Sequence, residues 1–229
     1  MSGGLRVVAL YTGGKDSTLA LEKALHVGHE VVELLTVVPE PHSYAFHDVC
    51  LEVTPLQARS MGLSQRFVKV PPGKGKEVEA LGSHLESLSE SLGIEGVVSG
   101  VIRSSYQKYR MDALLSEIGL SHLTPNWGMS PGSVVAEVVR RGYEVLISSV
   151  SANGLNSSWV GRKIDSDALR ELMTLSERFG FDPDGEGGDY ETLVLWAPLF
   201  RERLKLLEWT TTWDGYSGRL LIGRAELDP

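Results

Sequence analysis

The sequence predicts an α/β protein, a doubly wound parallel sheet followed by a second, smaller α+β domain. Three observations predict it. Apolar runs alternate with amphipathic stretches through the first half, the first run breaks into Gly13-Gly14-Lys15-Asp16-Ser17 and opens a helix, and the texture changes near Thr124. Strands alternating with helices imply βαβ units, whose right-handed crossovers place helices on both faces of a parallel sheet. Ligands of such sheets lie beyond the carboxyl ends of the strands.

In chain order, strands are expected at residues 6–11, 30–38, 66–70 and 96–99, and helices at 16–26, 55–61, 75–92 and 104–118. Val78, Leu81, Leu85, Leu88 and Leu92 recur at steps of three and four, which is one buried helix face. Residues 120–126 read as a connection, so the first domain is set at 1–123 and the second at 124–229. There, a helix starts at Pro131-Gly132-Ser133 and runs to about Arg141, and residues 144–150 form an apolar strand. Asp165 opens a helix to Phe179 with Leu169, Leu172 and Leu175 inward. Residues 193–196, 204–213 and 218–227 read as strands, the last two joined in a hairpin at Asp214-Gly215.

Composition bounds the function. The chain has 229 residues and 42% hydrophobic content, enough to bury a sizeable core. Twenty-two Lys and Arg against thirty Asp and Glu give a net charge of −8, which disfavours a stable hold on nucleic acid. The small basic groups Lys69, Lys74, Lys76 and Arg103, Lys108, Arg110 read as solvated faces or nucleotide contacts. A single cysteine, Cys50, excludes an internal disulfide or a Cys-x-x-Cys site and fits a reducing, cytoplasmic setting. The six histidines have no zinc-ligand spacing. Neither a signal peptide nor a run near the roughly eighteen apolar residues of a membrane span is expected.

Five clusters carry chemistry. In the first, Gly13 and Gly14 give backbone access to an anion, Lys15 neutralises it, and Thr12 and Ser17 supply hydroxyls at a helix start. Asp16 orients the loop or faces Mg2+. This is not the Walker loop, whose glycines are spaced as Gly-x-x-x-x-Gly-Lys. The second, residues 41–48, offers Ser43, Tyr44, Phe46 and His47 to an adenine ring, or covers the core with its aromatics. The third leads from Gly100 into a helix bearing Ser104, Gln107 and Arg110. Arg110 stabilises phosphate charge or pairs with Asp112 or Glu117.

The fourth, residues 184–192, sets Glu186, Asp189 and Glu191 among Gly185, Gly187 and Gly188, beside Tyr190. Such carboxylates are costly together without a cation between them; alone, the stretch would be a flexible acidic loop. The fifth, residues 154–165, holds Trp159 and Arg162, a binding surface or a helix lead-in with a buried Trp.

The first cluster resembles the Ser-Gly-Gly-x-Asp-Ser loop of the PP-loop (N-type) ATP pyrophosphatases, which have Rossmann-like sheets and cut ATP between its α and β phosphates. Together, the five clusters resemble the diphthine–ammonia ligase (diphthamide synthase) family. Its motifs are Ser-Gly-Gly-Lys-Asp-Ser, Ser-Tyr-x-Phe-His, Gly-x-Ile-x-Ser-x-Tyr-Gln-x-x-Arg, Gly-Leu-x-x-x-Trp-Leu-Gly-Arg and Gly-Glu-Gly-Gly-Glu-Tyr-Glu-Thr. They match residues 12–17, 43–47, 100–110 (with Val101 ahead of Ile102), 154–162 and 185–192, over nearly the full length. The last motif discriminates, because most PP-loop enzymes lack it. Departures include Thr12 for serine, Ala45 for methionine, Arg103 before Ser104, and Asp189 for glutamate.

The resemblance implies ATP-dependent amidation of diphthine on translation elongation factor 2. The carboxylate attacks the α-phosphate, pyrophosphate leaves, and ammonia displaces AMP from an acyl-adenylate. ATP and Mg2+ are the implied cofactors, with Asp16 at the metal. Lys15, Asp16, Arg110, Glu186 and Glu191 are the implied catalytic group. Thr12, Gly13, Gly14, Lys15, Asp16, Ser17, Ser43, Tyr44, Phe46, His47, Gly100, Ser104 and Gln107 would hold the nucleotide. Trp127, Trp159, Arg162, Gly187, Gly188, Asp189 and Tyr190 would meet the substrate, the tryptophans as cation–π faces. The first domain then binds ATP and the second the substrate; a homodimer is left open. The rival readings are a tRNA-modifying PP-loop enzyme and a non-catalytic adenine-nucleotide sensor. The single cysteine and the negative charge count against the first, and intact Lys15, Asp16 and Ser17 against the second.

Overall fold

The computed structural model describes residues 3–39, 50–71 and 76–229. It forms two compact units, one of Met1–Thr12, Asp16–Leu51 and Gly62–Trp127, the other of Gly13–Lys15, Glu52–Met61 and Gly128–Pro229.

The first unit holds strands β1 (Arg6–Leu10), β2 (Glu30–Pro39), β3 (Gln65–Val70), β4 (Gly96–Val98) and β5 (Ser121–Leu123). They form one parallel sheet in the order β3-β2-β1-β4-β5. Val7, Val8 and Ala9 are all buried, as a central parallel strand requires. The doubly wound α/β expectation holds. Chain order runs outward one way from β1 through β3 and the other way through β4 and β5, so the switch point lies between β1 and β4.

The helices of this unit are α1 (Lys15–His26, from Asp16 onward), α3 (Lys76–Leu92) and α4 (Ser105–Glu117). Leu81, Leu85 and Leu88 of α3 join Val68, Val70, Val97, Met111 and Leu115 in the core, while Val78 and Leu92 are half-buried. Each buried aliphatic side chain contributes about 1.5–3 kcal/mol relative to exposure. The connection expected at 120–126 contains β5, whose Ser121, His122 and Leu123 align with Gly96, Val97 and Val98. Three residues with a polar pair carry no β pattern, and pairing with β4 makes the strand.

The second unit holds α2 (Thr54–Met61), α5 (Ser133–Arg140), α6 (Ser166–Phe179) and strands β6 (Glu144–Val150), β7 (Tyr190–Trp196), β8 (Arg203–Trp213) and β9 (Gly218–Asp228). The sheet is antiparallel, in the order β7-β6-β9-β8. Although α2 lies between β2 and β3 in sequence, it packs on β8 and β9. The Asp165 carboxylate caps α6 by accepting from the N–H of Asp167 (3.0 Å) and Ala168 (2.8 Å). Ala168 and Leu172 are its buried residues; Leu169 and Leu175 are only half-buried, a narrower apolar stripe than their spacing suggested. At the β8–β9 turn the Asp214 carboxylate accepts from the N–H of Ser217 and Tyr216. These bonds, Ser217 first, pull its pKa down to about 2. Among the described residues no helix is long and apolar enough to cross a membrane.

Candidate active site

Within the first unit, the carboxyl ends of β1 and β4 bring two of the sequence clusters together. Gly100, just past β4, lies so close to the start of α1 that a Cβ would stand 2.7 Å from the Asp16 carbonyl carbon and 2.8 Å from the Ser17 nitrogen. No side chain fits there. Thr12 and Ser17 close the loop through their hydroxyls (3.2 Å), and the Thr12 N–H donates to Ser17 Oγ (3.3 Å). Asp16 is half-buried, and its carbonyl accepts from Asn126 Nδ2 at 3.0 Å. Asn126 is fully buried and also accepts from Lys23 Nζ at 3.2 Å. Sequence reasoning missed Asn126, which fell in the connection at residues 120–126 beside the candidate Trp127.

Along α4, Ser104 is the N-cap and its hydroxyl accepts from the Gln107 N–H at 3.4 Å, while the Gln107 side chain is exposed. Arg110 lies over the Tyr106 ring (5.2 Å) and donates to the Tyr106 hydroxyl. The partners of Asp112 are instead Lys108 (2.6 Å) and His122 Nδ1 (2.6 Å), and His122 Nε2 meets Ser99 Oγ at 2.8 Å. Burial pulls the His122 imidazole below its usual value against the raising effect of Asp112. The neutral ring therefore donates from Nδ1 to the carboxylate and accepts the Ser99 hydroxyl at Nε2. Burial works to raise the Asp112 carboxyl, but bonds from Lys108 and then His122 outweigh it and hold it below the ordinary range. Lys108 also covers the face of Trp127, 5.4 Å from its centroid. Ser99, Asp112 and His122 were not among the sequence candidates.

Within the second unit, Gly13–Lys15 runs beside the edge strand β7. Val194 N–H donates to the Gly13 carbonyl (2.9 Å), as does Gln57 Nε2 (3.1 Å), and the Lys15 N–H donates to Thr192 Oγ1 (3.1 Å). Gly13 has φ +79°, a left-handed conformation natural to glycine. Lys15 is 2% exposed; its Nζ donates to the Asp184 carbonyl and stands 5.2 Å from the Tyr190 ring centroid.

The acidic loop is tied down by its own carboxylates. Asp184 is fully buried, its Oδ2 accepting from the Gly132 N–H (2.9 Å) and its Oδ1 from the Val135 N–H (3.0 Å) at the start of α5. Asp182 Oδ1 accepts from the Asp184 N–H, and Asp189 Oδ2 from the Asp182 N–H, both at 2.8 Å. Tyr190 donates its hydroxyl to the Pro183 carbonyl at 2.7 Å. Ser151 donates through its hydroxyl to the Gly188 carbonyl. Glu186 and Glu191 are half-buried and Gly187 is exposed. Trp159 is 2% exposed with the Arg162 guanidinium 4.0 Å over its ring, and Arg162 pairs with Glu171 at 2.7 Å. Ser43, Tyr44, Phe46 and His47 lie outside the described residues.

Residues 5–122 match the Diphthamide synthase N-terminal domain and residues 130–227 the Diphthamide synthase C-terminal domain. The chain belongs to the diphthamide synthase family. A Danio rerio protein named diphthine–ammonia ligase is 31% identical over 219 residues, covering 87% of this chain and 86% of its own length. The protein of that name from Rattus norvegicus is 30% identical, over 87% of this chain and 82% of its own. One from Schizosaccharomyces pombe is 30% identical over 89% of this chain, but this is only 36% of the longer yeast protein. In this member of the diphthamide synthase family, the 184–192 loop receives Lys15.

The residues present fit a nucleoside triphosphate. Gly13 turns with positive φ, and Lys15 and the Thr12 and Ser17 hydroxyls flank the turn. Among the described residues no three His, Cys, Asp or Glu side chains gather as a metal site. A Mg2+ ion carried by phosphates and a single carboxylate needs no such cluster.

Proposed function

We propose that the chain amidates diphthine on translation elongation factor 2 with ammonium, using ATP and passing through an acyl-adenylate to diphthamide, AMP and pyrophosphate. The observation that carries this reading is the hydrogen bond from Lys15, in the nucleotide motif, to Asp184, at the head of the family's distinguishing acidic loop. Residues 1–123 bind ATP and 124–229 bind the protein substrate. The Gly13 and Gly14 amides, Thr12 and Ser17 hold the phosphates, and Lys15 and Arg110 neutralise the leaving pyrophosphate. Gly100, Ser104 and Gln107, with Ser43, Tyr44, Phe46 and His47, take the rest of the nucleotide. Mg2+ at Asp16 would screen the charge that builds on the phosphates. With little covalent chemistry for the protein to do, the rate comes from holding two anions in line and stabilising the charge that develops.

Glu186 and Glu191 handle the ammonium nitrogen. Trp127, Arg162, Gly187, Gly188 and Asp189 shape the surface for the diphthine side chain, which ends in a carboxylate and a trimethylammonium, and the buried Trp159 and Tyr190 support it. The setting is cytoplasmic, and a homodimer is compatible with it. Pyrophosphate release, measured with each substrate omitted in turn, tests the reading. It should require ATP, ammonium and diphthine-bearing elongation factor together. Dependence on tRNA would identify a tRNA-modifying enzyme, and no release under any combination would leave a nucleotide sensor.

A further inference from the structure

The Lys15 ammonium occupies a place shaped for a cation. One wall is the Asp184 carbonyl oxygen, which accepts from Nζ, and another is the Tyr190 ring. Both walls are fixed by bonds that do not involve Lys15. The Asp184 carboxylate is held by the N–H groups of Gly132 and Val135, and the Tyr190 hydroxyl is held by the Pro183 carbonyl. Lys15 is 2% exposed and Tyr190 1% exposed, so the place is nearly dry. A carbonyl oxygen and an aromatic face out of water are groups that hold ammonium and alkylammonium ions.

On the reading proposed above, Lys15 also serves the phosphates of ATP. A polyphosphate offers the ammonium acceptors of opposite charge, whose Coulomb attraction a neutral carbonyl oxygen lacks. We propose that nucleotide binding draws the Lys15 ammonium away from Asp184 and Tyr190, and that the vacated site takes the ammonium nitrogen donor. The ligand's identity rests on the amidation reading; the cation site rests on the geometry alone. No bond is made or broken in this exchange, and the proton stays on Lys15. Binding is then ordered, with nucleotide first and ammonium second. Before ATP arrives, the lysine itself fills the ammonium position.

The test is ammonium binding to the full chain, followed by the NMR linewidth of 15N-ammonium, with and without a non-hydrolysable ATP analogue. In the native protein, the analogue should tighten ammonium binding roughly tenfold. Lys15→Ala should bind ammonium, or n-butylammonium that also fills the space of the lysine stem, with no nucleotide present. Tyr190→Leu should weaken ammonium binding about tenfold in the presence of the analogue, and Tyr190→Phe should restore it. Ammonium affinity indifferent to the analogue would overturn the proposal. So would a Lys15→Ala chain, folded by circular dichroism, that gains no affinity for either cation. These readouts need no diphthine. Amidation can therefore succeed while this exchange fails, or fail while the cation site stands.

Discussion

The loop at residues 12–17 and the loop at 184–192 are both rich in glycine and charge, yet they hold their shapes by different means. In the first, main-chain groups and hydroxyls set the turn: the Gly13 carbonyl on Val194 and Gln57, the Thr12 and Ser17 hydroxyls, and the Asp16 carbonyl on Asn126. In the second, carboxylates do it: Asp184 on α5 and Asp189 on the Asp182 N–H. A charged residue in such a loop therefore has a dual reading. Charge removal tests folding at Asp184 and Asp189 in the second loop; at Lys15 in the first it tests chemistry once the variant is shown to fold, since the ammonium is buried on the Asp184 carbonyl.

The largest effect expected from that contrast is at Lys15. Lys15→Ala should lower the rate of pyrophosphate release by about 10²–10³-fold, the scale of losing one group that stabilises developing charge. A rate within a few-fold of the native one would remove Lys15 from the chemistry. Next comes Asp184→Ala, which strands two buried N–H donors and should cost about 2–3 kcal/mol in urea unfolding. Asp189→Ala strands a single donor in a half-buried place and should cost about 1 kcal/mol. If the two substitutions cost the same, the acidic loop is not hung on Asp184.

Glu186→Gln and Glu191→Gln sharpen the contrast from the other side. Each should raise the ammonium KM roughly tenfold, with the chain still folded by circular dichroism. An unchanged ammonium dependence in both would take these carboxylates out of the nitrogen site. The smallest effect belongs to His122. Burial lowers its folded pKa below 6.5, so the unfolded chain takes up the proton more readily. Its contribution to stability is complete above pH 6.5 and is lost as the pH falls through the lowered folded value. His122→Asn should flatten that part of the pH dependence of the urea midpoint; a profile identical to the native one would show that His122 does not titrate this way.

Much of the fold was legible because it is local. The alternation of strands and helices, the buried stripe of α3 and the Asp165 cap all follow from side-chain period and short-range bonds. β5 was not, because a three-residue strand exists only through its partner β4. At the site, the Gly13-Gly14-Lys15 turn could be read, since a turn's glycines declare their backbone needs. Asn126 and the Ser99–His122–Asp112 chain could not, as each joins residues from separate elements.

By itself, then, the sequence determined the parallel α/β unit, the nucleotide turn and the family motifs, because periodicity and glycine chemistry act over a few residues. Tertiary structure decided how the charges are used. It brought Lys15 to a carbonyl 169 residues away and turned Asp184 onto the start of α5. The reason is physical: a buried polar group must find a partner wherever folding brings one, and that choice is made in space.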